Sequence, residues 1–70
     1  MNKIRSMQDL RDRLEGLANI ASDFEAAHGE EDKIWGEVLE AIAEDRFVVP
    51  NEAARLALTS RQIGFARECA

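Results

Sequence analysis

Three residues near the middle of the chain are of types that hold metal ions. His28, Glu31 and Asp32 fall within one or two turns of a helix. Zinc sites close a tetrahedron from ligands at characteristic spacings, and the lone cysteine, Cys69, stands far off at the other end of the sequence. The trio reads instead as a histidine on the edge of an apolar seam, beside acids that open a helix, so no metal or cofactor is expected. No serine or cysteine has a base set beside it by a recognisable motif, and no glycine-rich phosphate loop is present. A helical chain of 70 residues encloses little concave volume. Catalysis and a small-molecule substrate are therefore not expected.

The second chemical feature is charge. Glu30, Glu37, Glu40 and Glu44 share one arc of a helix with Lys33, opposite Ile34, Trp35, Val38, Leu39 and Ile42. An acidic stripe of this kind is either a solvated face or a surface that docks on a basic protein partner. Trp35, the sole tryptophan, is either a core residue packed on Phe24 or an anchor for that partner.

These residues must be positioned by helices. Met7, Leu10, Leu14, Leu17, Ala21, Phe24 and His28 recur at alternating steps of three and four, the seam of a helix that packs lengthwise on another. Ser6 is a fitting N-cap, with Asp9 three residues on. The pattern predicts a first helix over about residues 6–28, stopped by Gly29. A second helix follows over about 30–46, opened by Glu30, Glu31 and Asp32. One long helix kinked at Gly29 is the alternative. An antiparallel hairpin about Gly29 would pair Leu17 with Ile42 and set Arg11 and Arg13 near Glu44 and Asp45. Phe47-Val48-Val49-Pro50 forms a connector, since proline cannot continue the helix. Helices over about 51–58 and 60–68 complete the chain, or one helix spans both.

Composition bounds the class. The 70 residues make a single domain, and a core that small needs reinforcement. One cysteine excludes a disulfide within the chain, so association is the remaining common device. The expected fold is all-α: a helical hairpin plus one or two short C-terminal helices, assembled as a dimeric helical bundle. Leu10, Leu14, Leu17, Ala21 and Phe24 are the expected homodimer seam. No apolar run reaches a membrane span, and the opening MNKIRSMQDL lacks the apolar core of an export signal, so a cytoplasmic protein is expected. The formal charge is −5, with nine acids against Lys33 alone between Ser22 and Asp45. That balance disfavours binding of nucleic acid by the whole surface and favours a basic partner.

The C-terminal stretch Ala53-Ala54-Arg55-Leu56 followed by Thr59-Ser60-Arg61-Gln62-Ile63 resembles a DNA-binding helix-turn-helix, without its turn glycine and with Ala57 and Leu58 in that place. The resemblance implies that Ser60, Arg61, Gln62 and Arg67 would face DNA. In size, acidity and helicity the whole chain resembles the small inhibitors made by phages and other mobile elements, such as anti-CRISPR proteins and anti-activators. The leading expectation is a non-enzymatic homodimeric inhibitor or regulator that blocks a transcription factor or nucleic-acid-handling complex through its acidic face, with Glu30, Glu37, Glu40, Glu44 and Trp35 in contact. A small DNA-binding regulator is the alternative.

Overall fold

Ser6 opens the first helix as its type and position imply. Its backbone is extended and its hydroxyl accepts from the Asp9 N–H at 3.1 Å, while the Asp9 carboxylate accepts from the Arg5 N–H at 3.0 Å. The computed structural model describes residues 3–67. It contains α1 (Met7–Asn19), α2 (Phe24–Ala43) and α3 (Pro50–Leu58), followed by a single 3₁₀ turn, Thr59–Gln62. All three helices pack on one another, so the fold is all-α.

The break between the first two helices does not fall at Gly29. It falls at residues 20–23, where Asp23 caps α2 by accepting from the Ala26 N–H at 3.2 Å. A capping carboxylate satisfies an otherwise orphaned donor and complements the helix dipole. Gly29 lies inside α2, and no glycine among the described residues has a positive φ. Phe24, expected late in the first helix, is the first residue of the second and is 41% exposed.

The left-handed stop belongs to Asp45, with φ of 57°. The Arg46 N–H donates to the Ala41 carbonyl at 2.9 Å and the Asp45 N–H to that of Ile42 at 3.1 Å. This paired closure ends a helix by satisfying its last carbonyls. Pro50 then takes the first position of α3, where its missing N–H has no helical partner to lose. The expected helix over 60–68 is absent from its described part. After Gln62 the chain is extended at Ile63 and runs on without regular structure to Arg67.

Moving the turn by several residues changes the register. Arg13 meets Glu30 and Glu37, not Glu44 and Asp45. Leu10, Leu14 and Leu17 are buried inside the single chain, against Ala27, Ile34, Val38 and Ala41 of α2, Ala53 and Ala57 of α3, with Ile4 and Phe47 closing the cluster. The expected dimer seam is thus largely consumed within one copy; Ala21 stays half-buried in the turn and Phe24 outside. Of the connector only Phe47 joins the core, and Val48 is 98% exposed. No described helix is long and apolar enough to cross a membrane.

Candidate interaction surfaces

α2 has four sides with different chemistry. Its core side carries Ala27, Ile34, Val38 and Ala41, with Glu31 among them. Its α1 side carries Glu30 and Glu37, which clamp Arg13. The guanidinium reaches the Glu30 carboxylate through Nε at 2.8 Å and the Glu37 carboxylate through Nη1 at 2.8 Å. Burial works against the Arg13 charge, but the hydrogen bonds and proximity of Glu37 and Glu30 outweigh it and hold its pKa above the ordinary value. Burial likewise pushes the Glu37 carboxyl up, and hydrogen bonds from Arg13 and the Ile4 N–H overcome that, leaving it below the usual range. Two of the four glutamates expected to greet a partner are therefore internal fasteners.

Glu31 is a third fastener, buried beneath the C-terminal segment. The Ser60 hydroxyl donates to it at 2.5 Å, and Arg67 donates to both its oxygens, at 2.9 and 3.0 Å. Arg67 also donates to the carbonyls of Ser60 and Ile63 and lies 3.8 Å over the Phe65 ring. The Arg67 hydrogen bonds depress the Glu31 pKa against the opposing effect of burial, and Glu31 in turn raises that of Arg67. Of the residues assigned to DNA reading, Ser60 is fully buried and Arg67 is committed to Glu31, while Arg61 and Gln62 are exposed.

The metal-like trio is split by the same geometry. Glu31 turns inward to Ser60 and Arg67, and Asp32 stays outside, 3.6 Å from His28 Nδ1. No group able to hold a metal ion occurs among the described residues. Cys69 lies outside them.

The third side of α2 faces α3. Trp35 donates from its indole nitrogen to the Ser60 hydroxyl at 3.0 Å and to the Ala57 carbonyl at 3.3 Å, and the Arg61 guanidinium lies 5.7 Å from its ring. It is half-buried and packs against the core cluster, as the core reading expected, while Phe24 is 41% exposed. It forms one wall of an open apolar groove of about 180 Å³, with Leu39 and Ile42 on the α2 side and Ala54 and Leu58 on the α3 side. Leu39 is 67% exposed and Leu58 45%. No charged side chain lines the groove.

The fourth side is the solvent face. Glu25, Asp32, Glu40 and Glu44 are exposed there, with Lys33 as their cationic neighbour. Glu44 pairs with Arg46 at 3.0 Å. This outer face retains Glu40 and Glu44 of the expected stripe and adds Glu25 and Asp32, which lie on the same side of the helix at 100° per residue.

The inward ties of Glu30, Glu31, Ser60 and Arg67 were not read from the sequence. Each is a charged or polar residue whose partner is distant in the chain, and only the correct turn position would have brought them together. No family model, characterised protein or solved structure matches this chain.

Proposed function

We propose that this protein is a non-enzymatic interaction module that binds a partner protein with a basic surface through the outer face of α2, and so inhibits or regulates that partner. The observation that carries this reading is that α2 stays uncovered along its solvent side while carrying four exposed carboxylates there against Lys33. α2 has 20 residues, so at about 1.5 Å per residue the face is about 30 Å long. Charge of one sign spread over that length steers encounter and fixes orientation more than it supplies affinity. The size, acidity and helicity shared with small mobile-element inhibitors point to a transcription or nucleic-acid-handling complex as the class of target, and to the cytoplasm as the place of action.

The test is a charge reversal that spares the internal fasteners. Glu37 must be left alone because its reversal would confront Arg13 with a cation. The variant Glu25→Lys/Asp32→Lys/Glu40→Lys should keep wild-type helicity and fail to capture the protein that the wild-type chain retains from a lysate of its native cell. Undiminished capture by that variant would rule out the acidic face as the binding surface.

A further inference from the structure

We infer that Glu31 and the 3₁₀ turn beside it form a receptor for an arginine side chain, that Arg67 fills it as an internal competitor, and that an arginine of the basic partner takes its place by displacing residues 64–67. The receptor is argued from its own geometry; the source of the incoming arginine rests on the proposed function.

The receptor is complete for a guanidinium. Arg67 presents Nε to Glu31 Oε1 at 2.9 Å and Nη2 to Oε2 at 3.0 Å, the paired fork that arginine makes with a carboxylate and lysine cannot. Nη2 also donates to the Ser60 carbonyl at 2.9 Å and the Ile63 carbonyl at 3.1 Å, and Nη1 to that of Phe65 at 3.2 Å. Of these acceptors only the Phe65 carbonyl leaves with residues 64–67. The Ser60 hydroxyl donates to Glu31 and accepts from the Trp35 indole, so the carboxylate is also oriented by groups other than Arg67. Stability does not account for the arrangement. The Glu31 side chain is 6% exposed, on the side of α2 that carries Ala27, Ile34, Val38 and Ala41. An ion pair buried among such residues is often no more stabilising than apolar side chains of similar volume. What it supplies is selectivity. A buried carboxylate left empty is costly, so the cleft demands a cation, and the fork demands a planar one.

The occupant is held more lightly than the receptor. Glu31 and Ser60 belong to α2 and the 3₁₀ turn, whereas Arg67 lies on a segment without regular structure. Among the described residues no backbone–backbone hydrogen bond involves 64–67. Gly64 and Ala66 are exposed while Ile63, Phe65 and Arg67 are half-buried, so the segment rests on the body by alternate side chains alone. The Arg67 side chain keeps 31% of its surface open to solvent, which leaves a competing arginine a path to Glu31. Asp32, the next residue of α2, is exposed on the acidic outer face, so a cation drawn to that face arrives beside the receptor. A site filled from within binds an outside ligand with an affinity reduced by the fraction of time it stands open, and removing the internal occupant removes that reduction.

Fluorescence anisotropy on the full chain tests this, with a labelled hexa-arginine peptide and hexa-lysine as its equal in charge. Arg67→Ala should bind the arginine peptide about tenfold or more tighter than the wild type does, and should gain much less toward the lysine peptide. Arg67→Lys leaves a cation at Glu31 and the net charge unchanged, and so covers the case in which alanine unfolds the chain. It too should gain toward the arginine peptide and not toward the lysine peptide. Adding Glu31→Gln to Arg67→Ala restores the wild-type net charge of −5 and should erase the arginine preference. A preference for arginine over lysine that is equal in wild type, Arg67→Ala and Arg67→Lys would overturn the inference, as would a gain that survives Glu31→Gln. The reversal Glu25→Lys/Asp32→Lys/Glu40→Lys should weaken both peptides alike. If it weakens neither while the Arg67 variants keep their arginine preference, the proposed function fails and the receptor stands.

Discussion

Arg13 shows how much a single side chain can decide in a small fold. It is buried between two carboxylates of the neighbouring helix, with both contacts at 2.8 Å. Removing one member of a buried charge group leaves the others unpaired, which costs about 3–5 kcal/mol. A chain of this length has only roughly 4–10 kcal/mol in total at ordinary per-residue stability. Arg13→Ala should therefore lower the urea unfolding free energy by about 3 kcal/mol or more, and a change within error would show that the clamp is not energetically coupled to folding. Glu31 and Glu37 bear on pH. Both are held below the usual carboxylate range, so the folded state binds fewer protons than the unfolded chain at mildly acidic pH. The stability they add is complete above the ordinary glutamate value of about 4.3 and is lost as pH falls through their lowered values. Thermal melts followed by circular dichroism should show a midpoint that drops on acidification in that range; a midpoint that rises there would contradict the assignment. Glu30 and Glu37 could be placed on one helical arc from sequence, but not assigned an inward or outward role. That depends on which residue of α1 stands opposite, a quantity set by the turn.

At the level of elements, the turn is where sequence and structure part. Gly29 has the type of a helix stop, and the acids after it have the type of a helix start. Asp23 is a stronger signal in practice, because a capping carboxylate stabilises the helix start directly while a glycine merely tolerates a stop. Once α2 begins at Phe24, Ala27, Glu31, Ile34, Val38 and Ala41 fall on its inward side, and the glycine's helical cost is accepted. The two placements predict opposite signs for one substitution. With Gly29 inside α2 and open space where its Cβ would stand, Gly29→Ala should stabilise the protein by about 1 kcal/mol, read as a rise in thermal midpoint. A left-handed stop at that position would instead make alanine destabilising. The periodicity of α1, its Ser6 cap and the proline entry to α3 were all legible, because each is a local signal. The expected C-terminal helix was not, because Ser60 and Arg67 are drawn to Glu31, and the extended segment that this requires has no local signature.

For the whole molecule, three helices cover one another's apolar faces and leave two surfaces of α2 outside: the apolar groove toward α3 and the acidic outer face. The all-α class followed from composition and spacing, whereas the distribution of function over the surface did not, since it depends on which apolar residues the core leaves over. Leu10, Leu14 and Leu17 are used up inside; Leu39 and Leu58 are not. The proposal that the acidic face does the binding has a direct electrostatic signature. Interactions between exposed charges weaken as the Debye length shrinks from about 10 Å at 0.1 M salt to about 3 Å at 1 M. The measurement is the affinity of the captured partner for wild-type chain and for the Glu25→Lys/Asp32→Lys/Glu40→Lys variant across that salt range. Wild-type binding should fall steeply with salt and variant binding should be weak already at low salt; equal affinities with no salt dependence would rule out the acidic face as the binding surface.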